Sequence, residues 1–340
     1  MTEGLILLLA FLLTALLCWR FSSPESLFHV LDHPGDRSLH HTATPRSGGI
    51  AIVIATLLAW IMAVALGRLP GNEFLLWLAA GVLLLAVVGG IDDRRDLSPL
   101  KRLLAQLLAA FFLLAADLVP DSLLLPGRNL VLPCYLAFVL VLLFILWMTN
   151  LYNFMDGMDG FAGGMTIIGF GTMAWLGWRA ADPGFALAAL VVVAAVAGFL
   201  LFNFPPARIF MGDAGAPVLG YLAAAFMLQA DREGLFPLWV GLLIFSPFIV
   251  DATYTLLRRL LAGKKIWQAH REHVYQRLVQ SGWSHRRTVA WAYLLMLGAA
   301  ISSIVALKLN PQVQWVILAG WIGIYLAIFL FTAHKEKQDS

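Results

Sequence analysis

The stretch PCYLAFVLVLLFILWMTNLYNFMDGMDG, residues 133–160, joins an uncharged apolar segment to a run of amides and carboxylates. Residues 133–149 have the length of a helix that crosses the roughly 30 Å hydrocarbon core of a membrane. The sequence therefore predicts an all-α, polytopic integral membrane bundle of about 11 transmembrane helices, or 10 if one of the shorter stretches does not cross. The other stretches of this kind fall near residues 4–20, 48–67, 74–91, 102–118, 161–178, 185–203, 215–230, 236–256, 288–306 and 314–332.

The composition excludes an ordinary soluble protein. Hydrophobic residues make up 61% of the 340, and charged residues only 13%, against roughly 25% in soluble domains. No low-complexity tract or obvious repeat interrupts the chain, so we expect one integral membrane domain over residues 1–340, surrounded by membrane lipids and without a nucleic acid partner. Its catalytic loops are expected near residues 21–47, 92–101, 150–160, 204–214 and 257–287.

The distribution of positive charge predicts the orientation. Of the 23 Lys and Arg residues, 18 fall in the loops on one side of the predicted bundle. Because cytoplasmic loops carry the excess of Lys and Arg, we expect a periplasmic N-terminus and a cytoplasmic C-terminus. All the unusual polar clusters then lie on the cytoplasmic side.

The most specific cluster follows the opening apolar segment. Asn150, Asn153, Asp156 and Asp159 recur every three residues, which on a helix places them along one face. Interhelical hydrogen bonding by amides is the structural alternative, and it could explain one asparagine but not four polar groups.

A pair of carboxylates follows the third apolar stretch. Asp92 and Asp93 come directly after Gly89-Gly90-Ile91, so one of them could face a site while the other holds a structural partner. The alternative is a solvated loop in which Arg94 and Arg95 neutralise the two acids.

Asp213 stands in the sequence FMGDAG, residues 210–215, just before the eighth apolar stretch. Aspartate is a preferred N-cap, so helix capping is one interpretation. The other is a site for Mg²⁺, or Mn²⁺, which commonly takes one or two protein oxygens together with substrate phosphates. Asp213 and Asn153 could supply those oxygens.

The segment HREHVYQR, residues 270–277, brings together two imidazoles, two guanidiniums, an amide and a phenol. Phosphate recognition is the interpretation we favour. Binding to an anionic lipid surface and Zn²⁺ coordination, which would need further ligands, are the alternatives.

The segment HHTATPRSGG, residues 40–49, precedes the second apolar stretch. Its hydroxyls, Arg46 and Gly-Gly could form a nest for phosphate oxygens at a helix start. The alternative is an ordinary loop that leads into a helix.

Taken in order, five motifs resemble the polyprenyl-phosphate N-acetylhexosaminyl-1-phosphate transferase superfamily. They are TPRSGG (44–49), GGIDDRRD (89–96), NLYNFMDGMDG (150–160), FMGDAG (210–215) and HREHVYQRL (270–278). The resemblance runs from about residue 32 to 280. This superfamily includes the enzymes that start O-antigen on undecaprenyl phosphate and phospho-N-acetylmuramoyl-pentapeptide transferase.

The resemblance implies a role for each polar cluster. Asn153 and Asp213 would contact Mg²⁺. The catalytic carboxylates would be Asp92 and Asp93 beside the acceptor phosphate, with Asp156 and Asp159 lining the nucleotide-sugar pocket. The residues expected to bind substrate are Arg46, Asn150, His270, Arg271, His273, Gln276 and Arg277.

The implied reaction converts a UDP-N-acetyl amino sugar and undecaprenyl phosphate to undecaprenyl-pyrophosphate-sugar and UMP, at the cytoplasmic side of a bacterial inner membrane. It would initiate O-antigen, lipopolysaccharide or a related glycan. The 270–278 motif leaves the sugar open among GlcNAc, FucNAc and QuiNAc, and a homodimer is left open as well.

Two other functions are alternatives. The first is the muramoyl-pentapeptide transfer of peptidoglycan synthesis. The second, of a different class, is secondary transport, but transporters place their acidic residues near the membrane midplane, often in repeated halves.

Overall fold

A computed structural model of the chain describes residues 1–26, 28–33, 42–265 and 270–339. Within these residues the helices are α1 (Thr2–Phe21), α2 (Gly48–Ala65), α3 (Glu73–Arg95), α4 (Pro99–Ala115), α5 (Cys134–Met155), α6 (Phe161–Arg179), α7 (Pro183–Asn203), α8 (Ala216–Arg232), α9 (Leu238–Ile244), α10 (Ser246–Leu261), α11 (Val274–Gln280), α12 (His285–Ala306) and α13 (Pro311–Asp339). Two antiparallel ribbons pair β1 (Leu31–Asp32) with β2 (Thr44–Pro45), and β3 (Ser122–Leu125) with β4 (Arg128–Val131). His40 and His41, in the predicted phosphate-binding loop, lie outside the described residues.

Every predicted apolar stretch coincides with a helix, and the stretch 236–256 coincides with two. Phe245 separates α9 from α10, and the two helix axes are bent by 78°. Pro247 lies in the first turn of α10, where its missing N–H and its ring interrupt a continuous helix. The expected single span is therefore a broken one.

The helices confirm an all-α, polytopic integral membrane architecture. In the described part of the chain, seven helices are long and apolar enough to cross a membrane, or eight if the bent pair counts as one span. Two of the remaining predicted spans, α4 and α8, are each 17 residues long. The count of eleven crossings and the orientation stay predictions.

Helix α8 is the buried centre of the bundle and brings the site together. It is rich in small residues, and neighbouring backbones approach it closely. An added Cβ atom at Gly220 would lie 2.2 Å from the carbonyl oxygen of Met148 in α5, and one at Gly81 of α3 would lie 2.0 Å from the hydroxyl of Tyr221. Because α3 and α5 both pack on α8 and run towards its start, their C-terminal ends meet at its N-terminus.

Candidate active site

The loop of residues 210–215, which carries Asp213, is held against the start of α2. The Phe210 N–H donates to the carbonyl of Pro45 at 2.7 Å, and the N–H groups of Gly48 and Gly49 donate to the carbonyls of Phe210 and Met211 at 2.9 and 2.8 Å. The two glycine N–H groups are therefore already used within the protein. Of the two interpretations of the 40–49 segment, these two donors therefore support the ordinary loop and not the phosphate nest, and the Gly-Gly pair permits close backbone contact.

Asp93 fixes the same loop from the end of α3. Its carboxylate is buried and accepts the backbone N–H groups of Asp213 at 3.1 Å and Ala214 at 3.2 Å. Arg46 joins them, with Nε 3.5 Å from Oδ1 of Asp93 and a further hydrogen bond to the backbone carbonyl of Asp93. Asp93 and Arg46 thus position the residue predicted to bind the metal.

Asp92 faces a small cavity beside that loop. It is 4% exposed, and its carboxylate accepts the N–H of Leu97 at 2.6 Å and the guanidinium of Arg102 at 3.2 Å. The solvated-loop interpretation of Asp92 and Asp93, with Arg94 and Arg95 as counter-ions, is therefore wrong. The cavity, of about 30 Å³, is lined by Leu85, Val88, Gly89, Asp92, Arg102, Ala105, Gln106, Asn153, Asp213 and Pro217.

The structure brings the two predicted metal ligands together in this cavity. The side chain of Asn153, at the end of α5, lines the same cavity as the Asp213 carboxylate and lies close enough to it to lower the pKa of that carboxyl. Asp213 does not cap α8, because the cap position is Gly215, so the N-cap interpretation is wrong. Burial and then the nearby charge of Asp92 raise the pKa of the Asp213 carboxyl.

Asp156 adds to this concentration of negative charge. It lies just beyond the end of α5, and burial followed by the charges of Asp213, Asp93 and Asp159 raises the pKa of its carboxyl well above the ordinary value. Crowded carboxylates of this kind favour a cation between them. Among the described residues, no group of three or more His, Cys, Asp or Glu forms a metal site from protein ligands alone.

Asn150 has a structural partner that the sequence analysis did not identify. Its amide and that of Gln106 in α4 exchange two hydrogen bonds, at 2.8 and 3.2 Å. Of the two asparagines in the 150–159 series, Asn150 is thus the one for which the interhelical hydrogen-bond interpretation holds. Arg102 and Gln106 were both missed, although their spacing of four residues marks one polar face on an apolar helix.

The predicted polar stripe does not continue as a helix. Helix α5 ends at Met155, so only Asn150 and Asn153 share its face, and Asp156 and Asp159 lie in the turn that follows. Gly160 adopts φ of 73°, a left-handed conformation that glycine tolerates. The predicted stripe is therefore wrong beyond Asn153, because α5 ends before Asp156.

The turn after α5 is tied to the loop that precedes Asp213. The Asp159 carboxylate accepts the N–H of Ala207 at 2.9 Å. The buried amide of Asn203 accepts the N–H of Gly160 and donates to the carbonyl of Ile209, both at 2.9 Å. Asn203 was not predicted as a site residue, and an amide at the end of an apolar stretch, just before Phe-Pro-Pro, was the available signal.

The 270–277 segment also packs against this turn. The hydroxyl of Tyr275 donates to the carbonyl of Phe154 at 3.2 Å, and the His273 ring stacks on the Phe154 ring with centroids 6.2 Å apart. An added Cβ atom at Gly157 would lie 2.3 Å from the Tyr275 hydroxyl oxygen. His273 and Gln276 therefore stand next to the turn that carries Asp156.

The remaining residues of this segment have different surroundings. His270 and Arg271 precede α11, which begins at Val274. Burial, then the charges of His273 and Arg259, lower the pKa of His270 to about 4, so its imidazole is neutral at pH 7. Arg277 is buried and forms a two-pronged ion pair with Glu336 of α13.

Glu272, also missed, anchors the segment. Its carboxylate contacts Arg258 at 3.3 Å, Lys264 at 3.0 Å and the guanidinium of Arg259. Burial alone would raise its pKa, but the hydrogen bond from Lys264 and the charge of Arg259 outweigh that effect and lower it. With two imidazoles and no third ligand among the described residues, the Zn²⁺ interpretation gains no support.

Comparison with known proteins gives a family match and several relatives that align over most of the chain. Residues 75–231 match the model described as glycosyl transferase family 4. A probable undecaprenyl-phosphate N-acetylglucosaminyl 1-phosphate transferase of Bacillus subtilis (strain 168) is 31% identical over 304 residues, which cover 88% of this chain and 82% of that protein. The undecaprenyl-phosphate alpha-N-acetylglucosaminyl 1-phosphate transferase of Yersinia pestis is 29% identical, covering 91% and 84%. A phospho-N-acetylmuramoyl-pentapeptide-transferase of Levilactobacillus brevis is 29% identical, covering 82% and 85%.

Proposed function

Because the chain belongs to glycosyl transferase family 4, we propose that it transfers an N-acetylhexosamine 1-phosphate from a UDP-sugar to a polyprenyl phosphate. The acceptor is undecaprenyl phosphate, and the products are undecaprenyl-pyrophosphate-sugar and UMP. One observation carries the proposal: Asp92, Arg102, Asn153 and Asp213 meet at one cavity at the ends of α3, α4, α5 and the 210–215 loop.

The residues at this cavity fit a Mg²⁺ ion. The Asn153 amide and the Asp213 carboxylate offer hard oxygen ligands, and both line the same small cavity. Asp92 and Asp156 add negative charge to the site. The charge of Asp92 raises the pKa of the Asp213 carboxyl, and the charge of Asp213 raises the pKa of the Asp156 carboxyl. A bound Mg²⁺ would neutralise charge on the pyrophosphate of the donor.

The reaction is a phosphoryl-type displacement in which the protein positions two charged substrates. An oxygen of the acceptor phosphate attacks the β-phosphorus of the UDP-sugar. The bond from that phosphorus to the bridging oxygen breaks, and UMP leaves with the oxygen and its electron pair. A phosphate monoester with a second pKa near 6 is mostly dianionic at pH 7, so the acceptor needs no strong base.

The side chains divide between the two substrates. Arg102 supplies a cation for the acceptor phosphate, and Asp92, which Arg102 and Leu97 hold in place, orients that phosphate. Asp93 acts through the backbone of the 210–215 loop, since both of its oxygens accept loop N–H groups. The imidazoles of His270 and His273, with Gln276, face the sugar or pyrophosphate of the donor.

The finer assignment is that the donor is UDP-GlcNAc and that the product begins O-antigen or a related surface glycan. Two of the relatives are named as N-acetylglucosaminyl 1-phosphate transferases of undecaprenyl phosphate, which supports this sugar and this lipid. The site then opens to the cytoplasm at a bacterial inner membrane, the side that carries most of the Lys and Arg.

The test is to incubate the purified protein with undecaprenyl phosphate, Mg²⁺ and a panel of UDP-sugars, and to measure UMP release. We expect turnover with UDP-GlcNAc, loss on adding EDTA and recovery with excess Mg²⁺. If UDP-N-acetylmuramoyl-pentapeptide is the only donor of the panel that yields UMP, the reaction is instead that of peptidoglycan synthesis. No UMP from any donor would refute the transferase function.

Replacement of Asp213 by asparagine tests the metal role. Asp213→Asn should lower turnover by about 100-fold or more, as the loss of a key electrostatic group at a reacting centre does. The matched control is Asp121→Asn, an exposed aspartate after the far end of α4, which should behave as the wild type. Wild-type turnover by Asp213→Asn in the presence of Mg²⁺ would contradict the assignment.

A further inference from the structure

We propose that Asp251 is a positioning residue for the donor half of the site, and that it acts by holding the start of α11 and the imidazole of His273. This inference rests on the proposed function, under which the donor half is the part of the site that binds the UDP-sugar. Asp251 lies on α10, the second part of the broken helix, and none of the sequence motifs contains it.

The contacts of Asp251 converge on the start of α11. Its buried carboxylate accepts the backbone N–H groups of Val274 at 2.9 Å and Tyr275 at 3.3 Å. The Thr255 hydroxyl donates to Oδ1 at 3.2 Å, and Nδ1 of His273 lies 3.4 Å from the same oxygen.

A helix start needs such partners, because its first N–H groups have none within the helix. A carboxylate there is also favoured by the helix dipole. In α11 the carboxylate comes from another helix, 23 residues earlier in the chain. The same contacts that complete α11 therefore fix where it stands relative to α10.

A second attachment lies next to His273. Glu272 is held by Arg258 and Arg259, which are also on α10. The backbone is thus tied to α10 immediately before His273, through Glu272, and immediately after it, through the N–H of Val274. Helix α10, the second part of the broken helix, therefore fixes the position of the His273 imidazole.

Asp251 itself stands away from the candidate reaction centre. It lines an apolar cavity of about 450 Å³ together with Trp291, Trp321 and other side chains of α12 and α13. His273 stacks instead on Phe154, beside the turn that carries Asp156. Because Asp251 lies beside Nδ1, the other ring nitrogen of His273, Nε2, points away from it. Asp251 is therefore a positioning residue and not a catalytic one.

The test separates donor use from acceptor use. Asp251→Asn keeps the shape of the side chain but replaces one accepting oxygen with a group that cannot accept the N–H groups. We expect the KM for the UDP-sugar to rise about 10-fold, the scale of one lost hydrogen bond to a charged group, while the KM for undecaprenyl phosphate stays unchanged. Thr255→Val is the matched control, because it removes one donor to Asp251 and leaves both helix contacts in place.

A double-mutant cycle with His273→Ala asks whether Asp251 acts through this imidazole. The donor KM effect of Asp251→Asn should shrink in the His273→Ala background, since residues that share one interaction are not additive. An undiminished effect there, or an unchanged donor KM in the single variant, would overturn the proposal.

Hydrogen exchange gives a readout that does not depend on turnover. The amides of residues 274–280 should exchange faster in Asp251→Asn than in the wild type, and equal exchange would overturn the proposed contact. If Asp251→Asn does not fold in detergent, Asp251→Glu is measured in its place. The longer side chain of glutamate shifts α11 and should raise the KM for the UDP-sugar. An unchanged KM would again overturn the proposal. A wild-type protein that releases no UMP refutes the proposed function itself, whereas a normal wild type with a normal variant refutes only the role of Asp251.

Discussion

Replacing Gly89 by alanine tests whether close contact between α3 and the 210–215 loop is needed for the reaction. An added Cβ atom at Gly89 would lie 2.0 Å from the carbonyl oxygen of Asp213 and 2.8 Å from Cα of Ala214. Both are backbone atoms, so no side-chain rotation relieves the overlap. At Gly90, the next residue of the same helix, the nearest atom to an added Cβ is the end of the Ile50 side chain at 3.9 Å, an ordinary contact.

The size of the effect follows from these distances. Cβ contacts under 3.0 Å are essentially absent from proteins, so the helix and the loop must separate by about 1 Å, a displacement that can cost about 100-fold in rate at a reacting centre. Overpacking costs about 1–3 kcal/mol, and alanine favours a helix over glycine by about 1 kcal/mol. The free energy of unfolding of Gly89→Ala should therefore fall by about 0–2 kcal/mol, a small change beside the loss of turnover.

The assay is the initial rate of UMP release at saturating donor and acceptor, with thermal unfolding in detergent measured alongside. We expect kcat of Gly89→Ala to fall about 100-fold, while Gly90→Ala keeps the wild-type rate and is as stable or slightly more stable. Equal kcat values for the two variants would refute the reasoning that the position of the Asp213 loop against α3 sets the rate.

Two other contacts give sharp predictions. Gly157→Ala should impair donor use, because the new Cβ atom would lie 2.3 Å from the Tyr275 hydroxyl oxygen. Adding Tyr275→Phe removes that oxygen and should restore activity. A double variant that is no more active than Gly157→Ala would contradict the overlap. Glu336→Gln should lower the free energy of unfolding by about 1–2 kcal/mol, because it leaves the buried guanidinium of Arg277 without its counter-charge. Its effect is read from the midpoint of thermal unfolding, with the exposed Glu25→Gln as control, and equal midpoints would count against a stabilising ion pair.

The sequence could predict which residues of the site share one end of the bundle. Apolar stretches fix the depth of each helix in the membrane, so Asp92, Asn153 and Asp213 were expected at a common rim. The structure brings these three to one cavity. Arg277 pairs with Glu336 and Asn150 pairs with Gln106. The substrate roles expected of both residues stay predictions.

The sequence did not distinguish groups that face a cavity from groups that hold the backbone. Asp92 and Asp93 are adjacent, yet one lines the cavity and the other accepts two loop N–H groups. A one-residue step turns a side chain by about 100° around a helix, so which carboxylate faces which neighbour depends on how α3 is rotated in the bundle. That rotation is set by contacts such as Gly81 on Tyr221, between residues far apart in the chain.

Hydropathy and charge patterns depend on residues that are close together in the sequence. For that reason the amino-acid order alone determined the helical membrane architecture and the gathering of polar motifs at one rim. The pairings that build the site join residues 120 positions apart, as between Asp93 and Asp213, or 23 apart, as between Asp251 and Val274. Only the packing of helices decides these, because small residues such as Gly89 and Gly220 allow backbones to meet at distances that no local pattern specifies.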